Sequence, residues 1–477
     1  MSSPAPVEPQ PLDARLSDFS SRLSPIVVKE LRQGMRTNLF VIAFILLQTF
    51  MILCMLAGLA NPGSNDATGF FWFFIIATMM VIQPLRGFSA LSSEYQLNTM
   101  DLIQLTRLNG WRITFGKWAA LNAQGLLFLV GVLPYLVIRY FVGNVNLVYD
   151  FSAILTIGVA SALATAITIG VSVFRSIVLR GILLVVLLIL GIVAINLFNY
   201  SVLGRSGGIT PDLANGLLYA VASVFGIFFF LSFGASRIAP LSENQATRKR
   251  LIAIGSALLC QAFHLLGNSE EAIAVTGVIL GLACIDALTE PLPIFSSIAI
   301  PFRRSPILRI LGIFLSPGWC SGIFFFLLCS GIWVGSILLW DLTASAKFFT
   351  NFEGPVLFLS LCNLIIFPLL ILHLFFAKHS SHHFTFGLYI FTQASLFGIT
   401  LMATVIANAL GKWEDYVYLF VPLPSVFIAG NAGGSEADEA IHFWIAVSTF
   451  FVCVCFPLLR QHRSARAFFS TLWQNSD

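Results

Sequence analysis

The segment Gly110–Trp118 is where residue types and spacing first invite chemistry in this 477-residue chain. A phosphate-binding loop needs Gly, four intervening residues, then Gly-Lys-Ser/Thr, so that backbone N–H groups cradle phosphate and the hydroxyl reaches magnesium. Here five residues separate Gly110 from Gly116-Lys117, and Trp118 stands where the hydroxyl belongs. Lys117 also borders an apolar run instead of following a β-strand, so the segment is not a nucleotide site. His379, His382 and His383 in "AKHSSHHF" are metal-binding types, but no carboxylate or Cys flanks them. They read better as a solvated basic turn. The eight Cys residues contain no CxxC pair and fall inside apolar runs, where thiols act as small packing groups. Carboxylates gather in "KWEDYVY" (Lys412–Tyr418) and "SEADEAIH" (Ser435–His442), the only external candidates for a membrane-embedded enzyme's acid or base. Loops at a membrane surface carry such charges routinely. No catalytic residue, no cofactor-binding residue and no metal ligand is assigned to this chain.

The elements that must position any functional residue follow from composition. Hydrophobic residues make up 57% of the chain and charged residues 10%, with mean hydropathy +0.89. Soluble domains carry about 25% charged residues, so this is an integral membrane protein. Runs lacking Asp, Glu, Lys and Arg, but for Asp286 near the end of the eighth, predict twelve spans, at 39–60, 69–85, 118–138, 151–174, 181–203, 213–236, 251–269, 272–288, 312–340, 355–377, 384–411 and 440–459. Only helices satisfy their own backbone groups within such a run, and the alternation of a membrane barrel is absent. The expected fold is all-α and polytopic, with "SPGW" (Ser316–Trp319) as a candidate break in the ninth span.

Of the 26 Lys and Arg residues, all but Arg139, Arg205, Lys347 and Lys412 fall on the side shared with the N-terminus. The positive-inside rule then predicts a multi-pass protein of the plasma (bacterial inner) membrane with both termini cytoplasmic. No apolar region followed by a small-residue cleavage site opens the chain, so no cleavable signal is expected.

Ahead of the first span, Ser24-Pro25 is a helix-start signal. In the helix that follows, Val27, Val28, Leu31 and Met35 share one face, and Lys29, Arg32, Gln33 and Arg36 the other. Such a helix suits the bilayer interface, with its basic face toward anionic headgroups. Between the second and third spans, Ser93-Glu94-Tyr95-Gln96 fits a capping box. Thr99 can cap a second short helix ending near Leu108, and Asn109-Gly110 closes it with a turn. This polar excursion exceeds what a simple hairpin needs.

An interfacial helix, one span pair and then a helical excursion resemble the membrane subunit of a type-two ATP-binding-cassette exporter. The matching residues are Pro25 with Lys29-Glu30-Leu31-Arg32, then Glu94, Thr99, Asp101-Leu102, Leu105-Thr106, Trp111-Arg112-Ile113 and Gly116-Lys117. The match covers about 24–240; Asn98 stands where the family usually has Gly. The resemblance implies an N-terminal elbow helix carrying Lys29, Glu30, Arg32 and Arg36. It implies a coupling helix in which Glu94, Thr99, Asp101, Leu102 and Thr106 meet a separate ATPase subunit, and a span-border motif at Gly116-Lys117. ATP and magnesium are then expected in the partner ATPase and none in this chain, which is a transport subunit and not an enzyme. The lipid bilayer is a partner, a second permease chain is allowed as homo- or hetero-dimer, and nucleic acid is not expected.

The domain reading is a polar cytoplasmic segment 1–23, a six-span permease domain 24–240, a second six-span domain 241–460 and a cytoplasmic tail 461–477. The second domain is either a degenerate duplication or an appended unit, since six spans return the chain to the same side. Rival functions are a secondary transporter, an assembly subunit and, with less support, a membrane-embedded enzyme. Ion-coupled carriers typically place a charge at the centre of a span, and no run here does so. Gly331 and Gly335 form a GxxxG contact candidate. Gln48, Gln83, Asn122, Gln124, His264, His373 and Asn408 could line a path, but isolated polar residues in spans more often bond across helices. The uncharged interior suggests an amphipathic or lipid-like cargo.

Overall fold

The computed structural model describes residues 25–60, 65–92, 109–143, 147–174, 180–181, 213–239, 243–263, 269–292, 298, 300–344, 348–349, 353–376, 382–410 and 436–473. Regular structure among the described residues is helical throughout. Nine of these helices are long and apolar enough to cross a membrane, which makes the chain an all-α, multi-pass membrane protein. Two compact units divide at Ser172/Val173.

In the first unit, α1 spans Pro25–Met35 and α2 Asn38–Ala60. α3 runs over Asn65–Ile76, through a π-helical turn at Ala77–Ile82, to Gln83–Leu85. α4 is Gly110–Gly143 and α5 is Leu147–Val171. Leu47 and Met51 of α2, Phe71 and Ile75 of α3, Phe128 and Val132 of α4 and Ile154 of α5 form one core. The opposite faces present Ile42, Ile45, Leu53, Phe73 and Phe141 outward, as a lipid-facing surface requires. The π-helical turn shifts carbonyls away from their usual partners. Ser161 of α5 meets one of them, donating to the Met79 carbonyl at 2.6 Å. At the other end of these helices, Arg139 of α4 lies 3.4 Å from Asp150 of α5 and over the ring of Phe71.

The second unit begins with α6 (Leu213–Ile238), α7 (Ala246–Gln261) and α8 (Ser269–Thr289). A single turn at Ile300–Arg303 leads to α9 (Pro306–Leu315) and α10 (Trp319–Ala344). α11 (Glu353–Phe375), α12 (His382–Leu410), α13 (Glu436–Arg460) and α14 (His462–Trp473) complete it. Its core joins Ala283, Ala287 and Leu288 of α8 to Ile323, Phe326 and Cys329 of α10, and to Ile366 and Leu369 of α11. Helices in lipid associate by close packing, which small residues permit. A methyl group at Gly322 of α10 would sit 2.2 Å from the Ala287 carbonyl oxygen of α8, so only Gly allows that approach.

Several expectations change. The run at 312–340 is two helices, because Ser316, Pro317 and Gly318 interrupt it and Gly318 takes a positive φ of 118°. The expected span at 251–269 is α7, a helix of 16 residues whose first turns carry Arg248, Lys249 and Arg250. It is not among the nine. The expected span 181–203 lies outside the described residues except for Gly181. The run at 384–411 is the helix α12, of which Phe386–Ile399 counts as a shorter apolar stretch among the described residues. α6, grouped by sequence with the first six spans, packs on α7 and α8 in the second unit. Gly331 and Gly335 make no close helix contact among the described residues, where a methyl group at either would meet nothing within 4 Å. All eight Cys are unbridged, and every one but Cys455 is buried.

α9 has a start that the first unit's sequence also contains. Ser305-Pro306-Ile307 repeats Ser24-Pro25-Ile26 ahead of a long span. The Ser305 hydroxyl caps α9 by accepting from the Leu308 N–H at 3.2 Å, and Pro306 occupies the first helical position.

Candidate functional sites

The first site is the junction of α1, α3 and α4. α1 lies along the beginning of α4 in register. A methyl group at Gly116 would meet Ile26 at 2.9 Å and Val27 at 3.8 Å, and one at Gly34 would overlap the Gln124 amide. Two glycines on opposite partners thus bring the helices together, and charge locks them. Lys117 Nζ donates to Glu30 Oε1 at 2.7 Å, with the lysine nearly buried and the carboxylate partly exposed. Further along, Arg86 at the end of α3 donates from Nη2 to the Gly34 carbonyl at 3.0 Å. Gln83 Nε2 donates to the Leu121 carbonyl of α4, and Gln83 Oε1 accepts from Arg86. Thr37 closes the end of α1 by donating to the same Gly34 carbonyl at 2.7 Å.

Of the elbow residues, Lys29, Glu30 and Arg32 lie in α1, with Lys29 and Arg32 exposed on the face away from α4. Arg36 is just past the helix, in the turn leading to α2. Glu94, Thr99, Asp101, Leu102 and Thr106 lie outside the described residues. What the structure does describe is both shoulders of that segment: Arg86 before it and Lys117 after it each reach α1.

The second site was missed by sequence reasoning. At one end of α6, α7 and α8, three cations and two carboxylates are buried together: Arg237, Lys249, Arg250, Asp286 and Glu290. Lys249 pairs with Asp286 and, at 3.1 Å, with Glu290. Arg250 Nη2 reaches Glu290 Oε2 at 2.8 Å, and Arg237 lies 3.9 Å from Asp286 while stacking over Phe233 and Phe386. The other arm of Arg250 holds the break between α9 and α10. Its Nη1 donates to the Phe314 and Ser316 carbonyls, both at 2.8 Å, and to Ser321 Oγ at 2.7 Å. Thr247 adds a bond to the Leu315 carbonyl at 2.8 Å. A helix end buried without partners leaves its last carbonyls unsatisfied, and a guanidinium is well shaped to meet several. Burial alone would raise the Glu290 carboxyl, but Lys249 and Arg250, with Arg237 behind them, outweigh it and hold it below the ordinary carboxylate range. Basic residues clustered at 248–250 read as a topology signal in sequence. Their partners lie some forty positions away, so only packing reveals the network.

The polar residues inside spans divide. Asn122 and His373 bond within their own helices, to the Trp118 and Leu369 carbonyls, and Gln83 bonds across helices. Gln124 is fully buried, and among the described residues neither of its amide atoms has a hydrogen-bond partner. His264 and the His379 loop lie outside the described residues, while His382 and His383 open α12. Among the described residues no group of three or more His, Cys, Asp or Glu side chains could hold a metal.

Comparison of the chain with family models, with curated proteins and with solved structures gives no match. The class that fold and sites define is a multi-pass α-helical membrane protein, with one helix-locking junction and one buried ion network.

Proposed function

We propose that this chain is the permease subunit of an ATP-driven exporter of the type-two ATP-binding-cassette kind, energised by a separate ATPase. The observation that carries this reading is that α1 holds both shoulders of the 93–108 segment. Arg86 is tied to the Gly34 carbonyl, and Lys117 to Glu30. A load applied to that segment would reach α3 and α4 through the chain and α1 through these bonds. In this reading Glu94, Thr99, Asp101, Leu102 and Thr106 meet the ATPase, which holds ATP and magnesium. This chain transmits force, lies in the plasma or bacterial inner membrane and keeps both termini in the cytoplasm. A second permease chain is compatible with it.

The buried network favours one other reading, a secondary carrier, because ion-coupled transporters use intramembrane carboxylates. Asp286 and Glu290, however, sit at helix ends and are paired with cations, an arrangement that suits a structural lock better than a mobile ion site.

Purification from native membranes tests the choice. An ATPase with a complete phosphate loop should co-purify, and Cys placed at Gln96 or Gln104 should crosslink to it. Glu94→Gln should weaken the complex by about 2–5 kcal/mol if its carboxylate forms a desolvated pair across the interface. The chain alone should neither bind nor hydrolyse ATP. Substrate accumulation driven by a pH gradient without any ATPase would favour the carrier. Crosslinks from 291–309, with none from Gln96 or Gln104, would move the coupling role to the second unit.

A further inference from the structure

The two amphipathic helices of the second unit, α9 and α14, come from distant parts of the chain and pack together on one face. Phe302, Leu315, Ala465 and Phe468 enter the same core, and the rings of Phe324 and Phe469 meet edge to face at 5.7 Å. Three residues separate α9 from the long helix α10, and one residue separates α13 from α14. Both helices are therefore fixed at the end of membrane-spanning helices, at the boundary between acyl chains and water.

Their outer faces are complementary in kind. With Gly312 and Leu315 turned inward, α9 exposes Ile307 (72%), Ile310 (54%) and Leu311 (41%). α14 buries Ala465 and Phe468 and exposes His462, Arg463 and Arg466 on the opposite side. Arg304 and Arg460 are exposed beside them, and Arg309 is half-buried. No Asp or Glu occurs anywhere in 291–340 or 440–476, so neither segment supplies a carboxylate to these arginines. An apolar row next to an arginine row is the chemistry of an acyl-chain and phosphate boundary. The planar guanidinium fork matches phosphate oxygens, and exposed isoleucines need a non-aqueous cover.

We propose that α9 and α14 together form a binding surface for anionic phospholipid, with Arg304, Arg309, Arg463 and Arg466 on the headgroup phosphates and Ile307, Ile310 and Leu311 in the acyl region. The occupant is the bilayer's own anionic lipid and not a soluble partner, because the apolar row and the covalent link to two spans keep this face at membrane depth. The surface belongs to the second unit and does not depend on an ATPase partner.

The full chain in detergent micelles, titrated with phosphatidylglycerol or phosphatidylcholine, tests this by thermal unfolding and by native mass spectrometry of retained lipid. Phosphatidylglycerol should raise the unfolding midpoint more than phosphatidylcholine at equal mole fraction, and salt should reduce the difference. Each exposed arginine near a headgroup contributes on the order of fivefold in affinity, so replacing the four arginines by Gln should lower affinity by at least about tenfold. The four-Lys variant should keep most of the preference; it carries the test if the Gln variant does not fold. A photoreactive benzophenone residue at Ile310 should yield a phospholipid adduct in native membranes. Equal stabilisation by both lipids in the wild-type chain, loss of the preference in the Lys variant, or a protein adduct at Ile310 in place of lipid would overturn the proposal.

Discussion

Lys117 of α4 donates to Glu30 of α1 at 2.7 Å, across 87 positions of sequence and immediately beside Gly116, which lets the two helices touch. The lysine is nearly buried, so removing its partner leaves a poorly solvated ammonium. A hydrogen bond between charged groups contributes about 1.5–3 kcal/mol. Glu30→Ala should therefore destabilise the first unit by roughly that amount, discounted for the carboxylate's partial exposure. The swap Glu30→Lys with Lys117→Glu should recover part of the loss that each single change causes. A double-mutant cycle on thermal unfolding checks this, and a coupling energy near zero would show the pair to be incidental.

Much of the fold was legible because membrane helices are written in runs of uncharged residues. The runs at 39–60, 69–85 and 355–377 became α2, α3 and α11 with small changes at their ends. The break at Ser316–Gly318 was also visible, since a proline followed by a glycine cannot continue a helix without cost. The junction was half legible. Lys29, Glu30, Gly116 and Lys117 were singled out by resemblance, but their mutual contact was not, because two charges 87 positions apart announce nothing about each other. The buried network was hidden for a stronger reason. Arg248, Lys249 and Arg250 look like a topology-setting basic cluster, while Asp286 lies near the end of a predicted span and Glu290 just beyond it. A charge's burial is decided by what packs over it, and periodicity does not encode that.

A reporter fused after Asp477 or inserted within 245–250 should behave as cytoplasmic, and one inserted near Gly207 or Gly433 as external. The expectation rests on the positive-inside asymmetry. The short helix α7 puts it at risk: an even number of crossings must separate 245–250 from the N-terminus. An external signal from Arg248 would overturn the proposed orientation of the second unit.

Glu290 should contribute to the pH dependence of its unit. Its carboxyl is held below the ordinary range, so its contribution to stability is present above the unfolded pKa, about 4.3, and is lost as pH falls through the lower folded value. Glu290→Gln removes that contribution at every pH. The difference in unfolding midpoint between wild type and this variant should be largest near pH 7 and should shrink below about pH 4. A difference that stays constant down to acid pH would mean that the Glu290 charge does not contribute through Lys249 and Arg250.

Arg250 is 2% exposed and binds Glu290 with one arm and the α9–α10 break with the other. Arg250→Ala leaves Glu290 short of a partner and the Phe314 and Ser316 carbonyls without donors, in a place water reaches poorly. Breaking a buried pair by removing one member costs about 3–5 kcal/mol, and orphaned carbonyls add to it. Arg250→Lys separates the two roles. A lysine keeps the charge for Glu290 but cannot present a fork to two carbonyls and a hydroxyl at once. The lysine variant should retain the acid dependence that Glu290 confers while the Ser316–Gly318 segment loosens. Hydrogen exchange should then rise at the start of α10 and stay unchanged at the end of α8. Equal exchange at both places in wild type and Arg250→Lys would show that the charge alone holds the break, and that the geometry of the guanidinium is dispensable.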